Sequence, residues 1–277
     1  MRFAKAYVEI SNICNLSCSF CPGTARTPRR MSVEEFSTVL DKLEGYVEYL
    51  YFHLLGEPLC HPELEAFLTL AQSRGFKVTV TTNGTLIDKR AELLLRLKPY
   101  KIVFSLHSFE ANSITSSLEK YLENCFAFGK GAEGESIVVY RLWNNGGSDS
   151  LNSEIEERLS LVFPRPWLES RNGVRIGDKA FLQYGDKFDW PDITSGNESE
   201  TVFCYGLRDQ IGILADGTVV PCCLDNNGTI ALGNLFTQTL EDILYSKRSQ
   251  EIYNGFSNRR AVEELCRMCT YARRFNK

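Results

Sequence analysis

The 277-residue sequence has no long apolar run. Its apolar stretches, such as Leu93-Leu94-Leu95, fall far short of the roughly 18 residues that cross a bilayer, which excludes a membrane-spanning helix. No apolar leader follows Met1 either: Met1-Arg2-Phe3-Ala4-Lys5 passes straight into a strand-like run, so the expectation is a cytoplasmic protein without a secretory signal. There is no surplus of positive charge. Thirty-one basic and 35 acidic residues give a net charge of −4, which excludes a generally cationic nucleic-acid binder and counts against nucleic acid as a partner. Internal repeats and low-complexity segments are also lacking. What remains is an ordinary globular composition, with a length that suits two domains or one large α/β domain with an appendage.

Against these absences stand ten cysteines. In a reducing compartment they are not expected to be disulfides, so they are free, catalytic or metal-bound. Cys14, Cys18 and Cys21 cluster near the start; Cys204, Cys222, Cys223, Cys266 and Cys269 fall near the end; Cys60 and Cys125 lie between. Two cysteine centres separated by a cysteine-poor body predict two metal sites, one at each end of an α/β scaffold.

The body alternates strand and helix. Strands are expected over 4–11, 47–54, 76–81, 101–106, 136–142 and 179–184. Ser32 and Glu35 form a capping box that starts the first helix, with Met31 and Phe36 as its hydrophobic staple. Further helices are expected from Pro62 to Gly75 and near 88–97, 112–128 and 151–162. Six such units imply parallel strands with right-handed crossovers. Eight would close a barrel, so the fold class is α/β, a partial (β/α)6 TIM-like barrel over residues 1–195. Residues 194–199 read as a linker to a small C-terminal α+β domain over 200–277.

Cys14-x3-Cys18-x2-Cys21 sits in the loop after the first strand. Three thiolates are one short of the four that saturate a structural zinc or a [4Fe-4S] cluster, so the loop is either a zinc site completed from elsewhere or a cluster with one open iron. Successive strands then end in Leu55-Gly56-Glu57-Pro58, in Thr81-Thr82-Asn83-Gly84, in Ser105 and His107, and in Arg141, Trp143 and Asn144. Polar and glycine residues thus collect at C-terminal strand ends, where α/β barrels hold ligands.

The CxxxCxxC loop, with Phe20 before its last cysteine and a GEP after the second strand, resembles the radical S-adenosylmethionine (SAM) superfamily. The resemblance extends over the whole chain. It implies a [4Fe-4S] cluster on Cys14, Cys18 and Cys21, with the amino and carboxylate groups of SAM on the fourth iron. Leu55 stands where the family's GGE motif has its first glycine, so Gly56 and Glu57 would meet the methionine amino group. Phe20, Thr82 and Asn83 would join the SAM site, Ser105 would contact the ribose, and Arg141 a carboxylate or the ribose. The chemistry so implied is reductive cleavage of SAM to a 5′-deoxyadenosyl radical that abstracts hydrogen from the substrate.

Near the other end, Cys204-x12-Gly217-x4-Cys222 is followed by Cys266-x2-Cys269. Ile211–Val220 reads as a hairpin turning at Asp216-Gly217, and a helix capped by Thr239 is expected over 239–253. The pattern resembles the start of a SPASM or Twitch auxiliary-cluster domain with a single cluster on Cys204, Cys222, Cys266 and Cys269; a zinc ribbon on the same cysteines is the alternative. That gives two [4Fe-4S] clusters per chain. Cys223 is a rival ligand to Cys222, a packed small residue, or a hydrogen donor. Cys60 and His107 are further catalytic candidates, although each also reads as structural. Cys125 reads as core, His61 as a helix-start residue, and Arg26, Arg29 and Arg30 as either an anion- or donor-binding face or a solvated one. The implied partners are a small-molecule or peptide substrate and an electron donor of flavodoxin or ferredoxin type. A peptide or nucleic-acid modifying enzyme and a non-catalytic cluster-binding regulator are the competing readings.

Overall fold

The computed structural model describes residues 2–112, 114, 116–196 and 198–275, except for the side chain of Arg273. Asn197, in the expected linker, lies outside the described residues.

Six strands run parallel in one sheet: β1 (Lys5–Val8), β2 (Tyr49–Phe52), β3 (Lys77–Thr82), β4 (Lys101–Ser105), β5 (Ile137–Asn145) and, after a hairpin, a sixth over Ala180–Asp186. Helices α1 (Val33–Leu43), α2 (Leu64–Ser73), α3 (Ile87–Leu97), α4 (Leu118–Gly131) and α5 (Asn152–Val162) form the crossovers. The hairpin before the sixth parallel strand consists of β6 (Leu168–Ser170) and β7 (Gly173–Gly177); the strand over 180–186 is therefore β8. The barrel stays open, with β6 at one edge of the 11-stranded sheet.

The two faces of the sheet differ because side chains alternate along a strand. Ala6, Val8, Leu50, Phe52, Val78, Val80, Ile102, Phe104, Val138 and Tyr140 point outward into the core under the helices. The capping box at Ser32 forms, with the Ser32 hydroxyl accepting from Glu35 N–H and the Glu35 carboxylate from Ser32 N–H, and it turns Phe36, Val39, Leu40 and Leu43 onto that face. Most of the inward positions are polar. Tyr7, Tyr51, Thr79 and Lys101 share one row across four strands, and Ser105 and Arg141 share a higher one.

The C-terminal region joins this sheet. β9 (Gln210–Ile213) pairs parallel with β1, Lys5 opposite Gln210 and Val8 opposite Ile213. β10 (Thr218–Val220) returns antiparallel through the expected Asp216-Gly217 turn, and β11 (Gly233–Asn234) forms the other edge.

Three expectations shift. The helix over 239–253 is two: α6 (Leu240–Leu244), capped by Thr239, and α7 (Lys247–Ser257), where Ser246 accepts from Ser249 N–H and starts a new helix. The helix expected from 112 starts at Leu118 because Ser117 caps it, accepting from Lys120 N–H. Pro62 precedes α2 rather than opening it. A short helix, α8 (Glu264–Arg267), carries Cys266.

Glu9, with no exposed surface, ties the two regions together. It pairs with Arg26 at 2.7 Å and accepts from Ala215 N–H at 3.1 Å. Arg26 Nε also donates to the Asn226 carbonyl, and Asn226 Nδ2 to the Gly23 carbonyl. Replacing Arg26 by Met should strand a buried carboxylate and destabilise the protein by about 3–5 kcal/mol, whereas Glu9→Gln with Arg26→Met should restore most of that. Urea unfolding under anaerobic conditions checks it; equal losses in the single and double variants would refute the pairing argument.

Candidate functional site

The loop carrying Cys14, Cys18 and Cys21 leaves the C-terminal end of β1 and closes on itself. Ser11 bridges Arg30, Met31 N–H donates to the Ile10 carbonyl, and Asn12 Oδ1 accepts from Arg29 N–H at 2.7 Å. Cys14 and Cys21 are exposed and Cys18 half-buried. Hydrogen bonds reach two sulfurs: Asn112 Nδ2 is 3.0 Å from Cys18 Sγ, and Leu16 N–H is 3.4 Å and Asn83 Nδ2 3.9 Å from Cys14 Sγ. Asn112 further accepts from Ser17 N–H and donates to the Ser108 carbonyl, so one side chain anchors the loop to the end of β4. Burial pushes the Cys14 thiol up to about 11 and raises that of Cys18. Thiols kept neutral in this way bind a cationic centre by releasing protons.

Gly56 has φ +76°, and a Cβ there would lie 2.1 Å from the Ser11 carbonyl oxygen. Only glycine lets the second strand's end approach the cysteine loop so closely. Glu57, 2% exposed, accepts from Thr82 Oγ1 at 2.7 Å, Asn83 N–H at 2.7 Å and Leu59 N–H at 3.0 Å. Burial outweighs these three bonds and lifts its carboxyl to about 7. Glu57, Thr82 and Asn83 are thus one network joining the ends of β2 and β3, with the Asn83 side chain continuing to Asn15 at 3.0 Å.

At the next strand ends, His107 Nδ1 lies 3.1 Å from the Arg141 carbonyl, and its ring packs 5.0 Å from that of Phe20. Burial lowers His107 to about 4, so it is neutral. Arg141 stacks its guanidinium 4.2 Å over Trp143 and reaches Gln183 at 3.3 Å. Ser105 is its register neighbour. Cys60 lines a cavity of about 510 Å³ beside the first cysteine loop, with Cys14, Arg30, Lys89 and Arg90. Cys125 is fully buried, and His61 bridges the Met31 carbonyl to Glu63 N–H. Arg26 and Arg29 are engaged internally, Arg29 with Glu35 and the Ala215 carbonyl.

The second cysteine set surrounds a small apolar cavity lined by Cys204, Cys222, Cys266 and Cys269 with Val202, Leu224 and Phe256. Burial pushes Cys204 up to about 11 and raises Cys222 and Cys266 well beyond the usual thiol range. Four cysteine sulfurs around one apolar cavity are a donor set suited to a [4Fe-4S] core. Cys223 does not line it. Its thiol packs instead with Tyr7, Tyr51 and Leu54 and hydrogen-bonds the Tyr7 hydroxyl.

Register places the two sets at opposite ends of the sheet. The first loop follows the C-terminal end of β1. Cys204 precedes β9, and Cys222 follows β10 past the pair Val220–Gly212, so both lie by the N-terminal ends of β1 and β9. Several residues here escaped sequence reading. Asn112 carried no local signal. Lys5, Tyr7 and Glu9 did: they alternate with Ala6 and Val8, the mark of a polar inward face.

Residues 8–129 match the radical SAM superfamily, and residues 204–270 match the SPASM iron-sulfur cluster-binding domain. A cofactor-modifying protein for tungsten-containing aldehyde ferredoxin oxidoreductase from Pyrococcus furiosus is 32% identical over 36% of this chain, a match spanning 30% of that protein. The S-adenosyl-L-methionine-dependent 2-deoxy-scyllo-inosamine dehydrogenase of Niallia circulans is 21% identical over 96% of this chain and 92% of its own length. Among solved structures, BtrN with AdoMet and 2-DOIA aligns with a TM-score of 0.62 at 18% identity, covering 98% of this chain and 94% of that one. Streptococcus suis SuiB bound to the precursor peptide SuiA aligns with a TM-score of 0.64 at 15% identity, covering 100% and 73%. The structural likenesses establish the unclosed α/β barrel. Both matched domains are of cluster-binding type.

Iron content separates the two adjacent cysteines. Wild-type protein reconstituted anaerobically should hold about eight iron per chain, Cys222→Ala about four, and Cys223→Ala still about eight. Loss of iron from Cys223→Ala, with Cys222→Ala unaffected, would reverse the ligand choice.

Proposed function

Because the chain belongs to the radical SAM superfamily and carries a SPASM-type cluster-binding domain toward its C-terminal end, we propose that it abstracts hydrogen from a substrate held in the barrel lumen and oxidises it, as a dehydrogenase does. What supports this reading is the placement of two cysteine sets at opposite ends of one sheet whose inward face is largely polar. Cys14, Cys18 and Cys21 would hold the catalytic [4Fe-4S] cluster, and Cys204, Cys222, Cys266 and Cys269 the auxiliary one. When bound, these groups supply reductive cleavage of SAM to a hydrogen-abstracting radical and a sink for the second electron.

The chain's own residues do the rest. Gly56 lets the β2 end close over the cysteine loop; the Glu57–Thr82–Asn83 network and Phe20 would shape the methionine end of the SAM site, with Ser105 on its ribose side, while Arg141 would stay with Tyr7 and Tyr51 on the inward face. Asn112 would tune the first cluster by its N–H···S bond to Cys18, since hydrogen bonds to the sulfurs raise a cluster's potential. The cavity beside Cys14, lined by Arg30, Lys89 and Arg90, suits docking of an acidic flavodoxin or ferredoxin. The units 1–195 and 200–277 would then be the catalytic barrel and the auxiliary-cluster domain of one enzyme. The substrate is a small molecule on this reading; a peptide is the second candidate, since the structural neighbour SuiB binds one.

Incubation with SAM and a strong reductant should release 5′-deoxyadenosine, and a deuterated substrate should transfer its label into that product. Product formed without 5′-deoxyadenosine would end this proposal. Asn112→Ala should make the first cluster harder to reduce, read as a negative shift in an EPR redox titration; an unchanged potential would remove the role given to Asn112.

A further inference from the structure

The lumen near the N-terminal strand ends carries positive charge that the protein does not neutralise. Lys5 sits with its Nζ 5.2 Å from the Tyr7 ring and 5.3 Å from the Tyr51 ring. Lys101 occupies the same row as Tyr7 and Tyr51, and Arg141 shares the Ser105 row, two inward rows above Lys101, with its guanidinium over Trp143 and its charge acting on both lysines. Among the described residues none of the three takes part in a salt bridge. They repel one another: burial and then Arg141 lower Lys101, and burial with Arg141 also lowers Lys5, where Asp209 is the carboxylate that opposes the effect. Among the described residues, the buried His53 Nδ1 and Thr81 Oγ1 on this inward face have no hydrogen-bond partner. His53 packs 5.1 Å from Tyr7 and 5.8 Å from Tyr51, and burial lowers it to about 3, so it is a neutral imidazole able to donate. Uncompensated cations and orphaned polar atoms on one surface are costly unless a ligand completes them.

We propose that this end of the lumen binds the phosphate of a phosphorylated small-molecule substrate, held by Lys5 and Lys101 with Arg141 and His53 beside them. The charge count selects the anion. Three cations against the one carboxylate of Asp209 leave two positive charges, and a phosphate monoester carries close to two negative ones at pH 7, its second pKa being about 6. A carboxylate would leave one charge unmatched. The phosphate would sit by Cys223 and Tyr7, so the substrate's other end would extend toward the first cysteine loop, where its hydrogen is taken. This inference rests on the proposed function and names the substrate class for the same lumen.

The test is binding to the reconstituted holoenzyme of glycerol 3-phosphate, with glycerol and glycerate as comparison probes, read by tryptophan fluorescence and by the thermal midpoint. Glycerol 3-phosphate should raise the midpoint and perturb fluorescence, glycerol should do neither, and Lys5→Met or Lys101→Met should each weaken binding about tenfold, the loss of one charge-assisted hydrogen bond. Iron content verifies that each variant is folded; where a methionine variant loses iron, the glutamine variant replaces it. Equal responses to glycerol and glycerol 3-phosphate, a stronger response to glycerate, or unweakened binding by folded variants would overturn the proposal. SAM cleavage without substrate is measured on the same preparation. 5′-Deoxyadenosine without a phosphate response overturns the lumen assignment alone, whereas a phosphate response without 5′-deoxyadenosine overturns the proposed function and leaves the anion site in place.

Discussion

Glu9 is an acid in a place that water does not reach, and its charge is made tolerable chiefly by Arg26 and Ala215 N–H, which meet it there. Those two partners come from different parts of the chain: Arg26 from the segment that leaves the first cysteine loop, Ala215 from the turn after β9. The carboxylate therefore holds three things in fixed relation, the end of β1, the exit of the cysteine loop and the C-terminal region. Asn226, Asn227 and Arg29 add bonds across the same seam. Loosening this seam would let both cysteine-bearing regions shift relative to the lumen, and a radical reaction depends on reacting atoms staying within near-contact distance.

The sheet's inner face inverts the usual barrel interior. TIM barrels fill their centre with branched apolar side chains; here the inward positions include Lys5, Tyr7, Tyr51, His53, Thr81, Lys101 and Arg141. An open barrel can accommodate these because an unclosed sheet is not obliged to fill its centre with interdigitated apolar side chains. Cys223 marks the boundary. Its neighbour Cys222 faces the four-cysteine cavity while Cys223 faces Tyr7 and Lys5, so two consecutive residues in the turn after β10 serve opposite sides of one wall.

Much of this was legible in the residues themselves. The six parallel strands followed from apolar runs spaced by helical patterns, the Ser32 box from local capping chemistry, and the hairpin from Asp216-Gly217, because each depends on neighbours in sequence. The cysteine sets were legible because thiol spacing constrains a metal site. Tertiary effects were not. The break at Ser246 reflects a cap competing with helix continuation, and β6–β7 are short, exposed strands with little apolar alternation. Asn112 reaches Cys18 across 94 positions. The inward direction of Glu57 depends on donors from β3, and the Lys5–Lys101–Arg141 convergence depends on which strands become neighbours.

The pairing of β9 with β1 has a consequence for how the chain assembles. One edge of β1 is satisfied early by β2, but the other waits for a strand some two hundred residues downstream. At roughly 5–20 residues per second, synthesis leaves that edge unpaired for about 10–40 seconds. An open edge beside a cysteine-bearing loop is an invitation to wrong strand pairing. The same ladder that later sets the spacing between the two centres thus leaves β1 half-paired until about three quarters of the chain has been made.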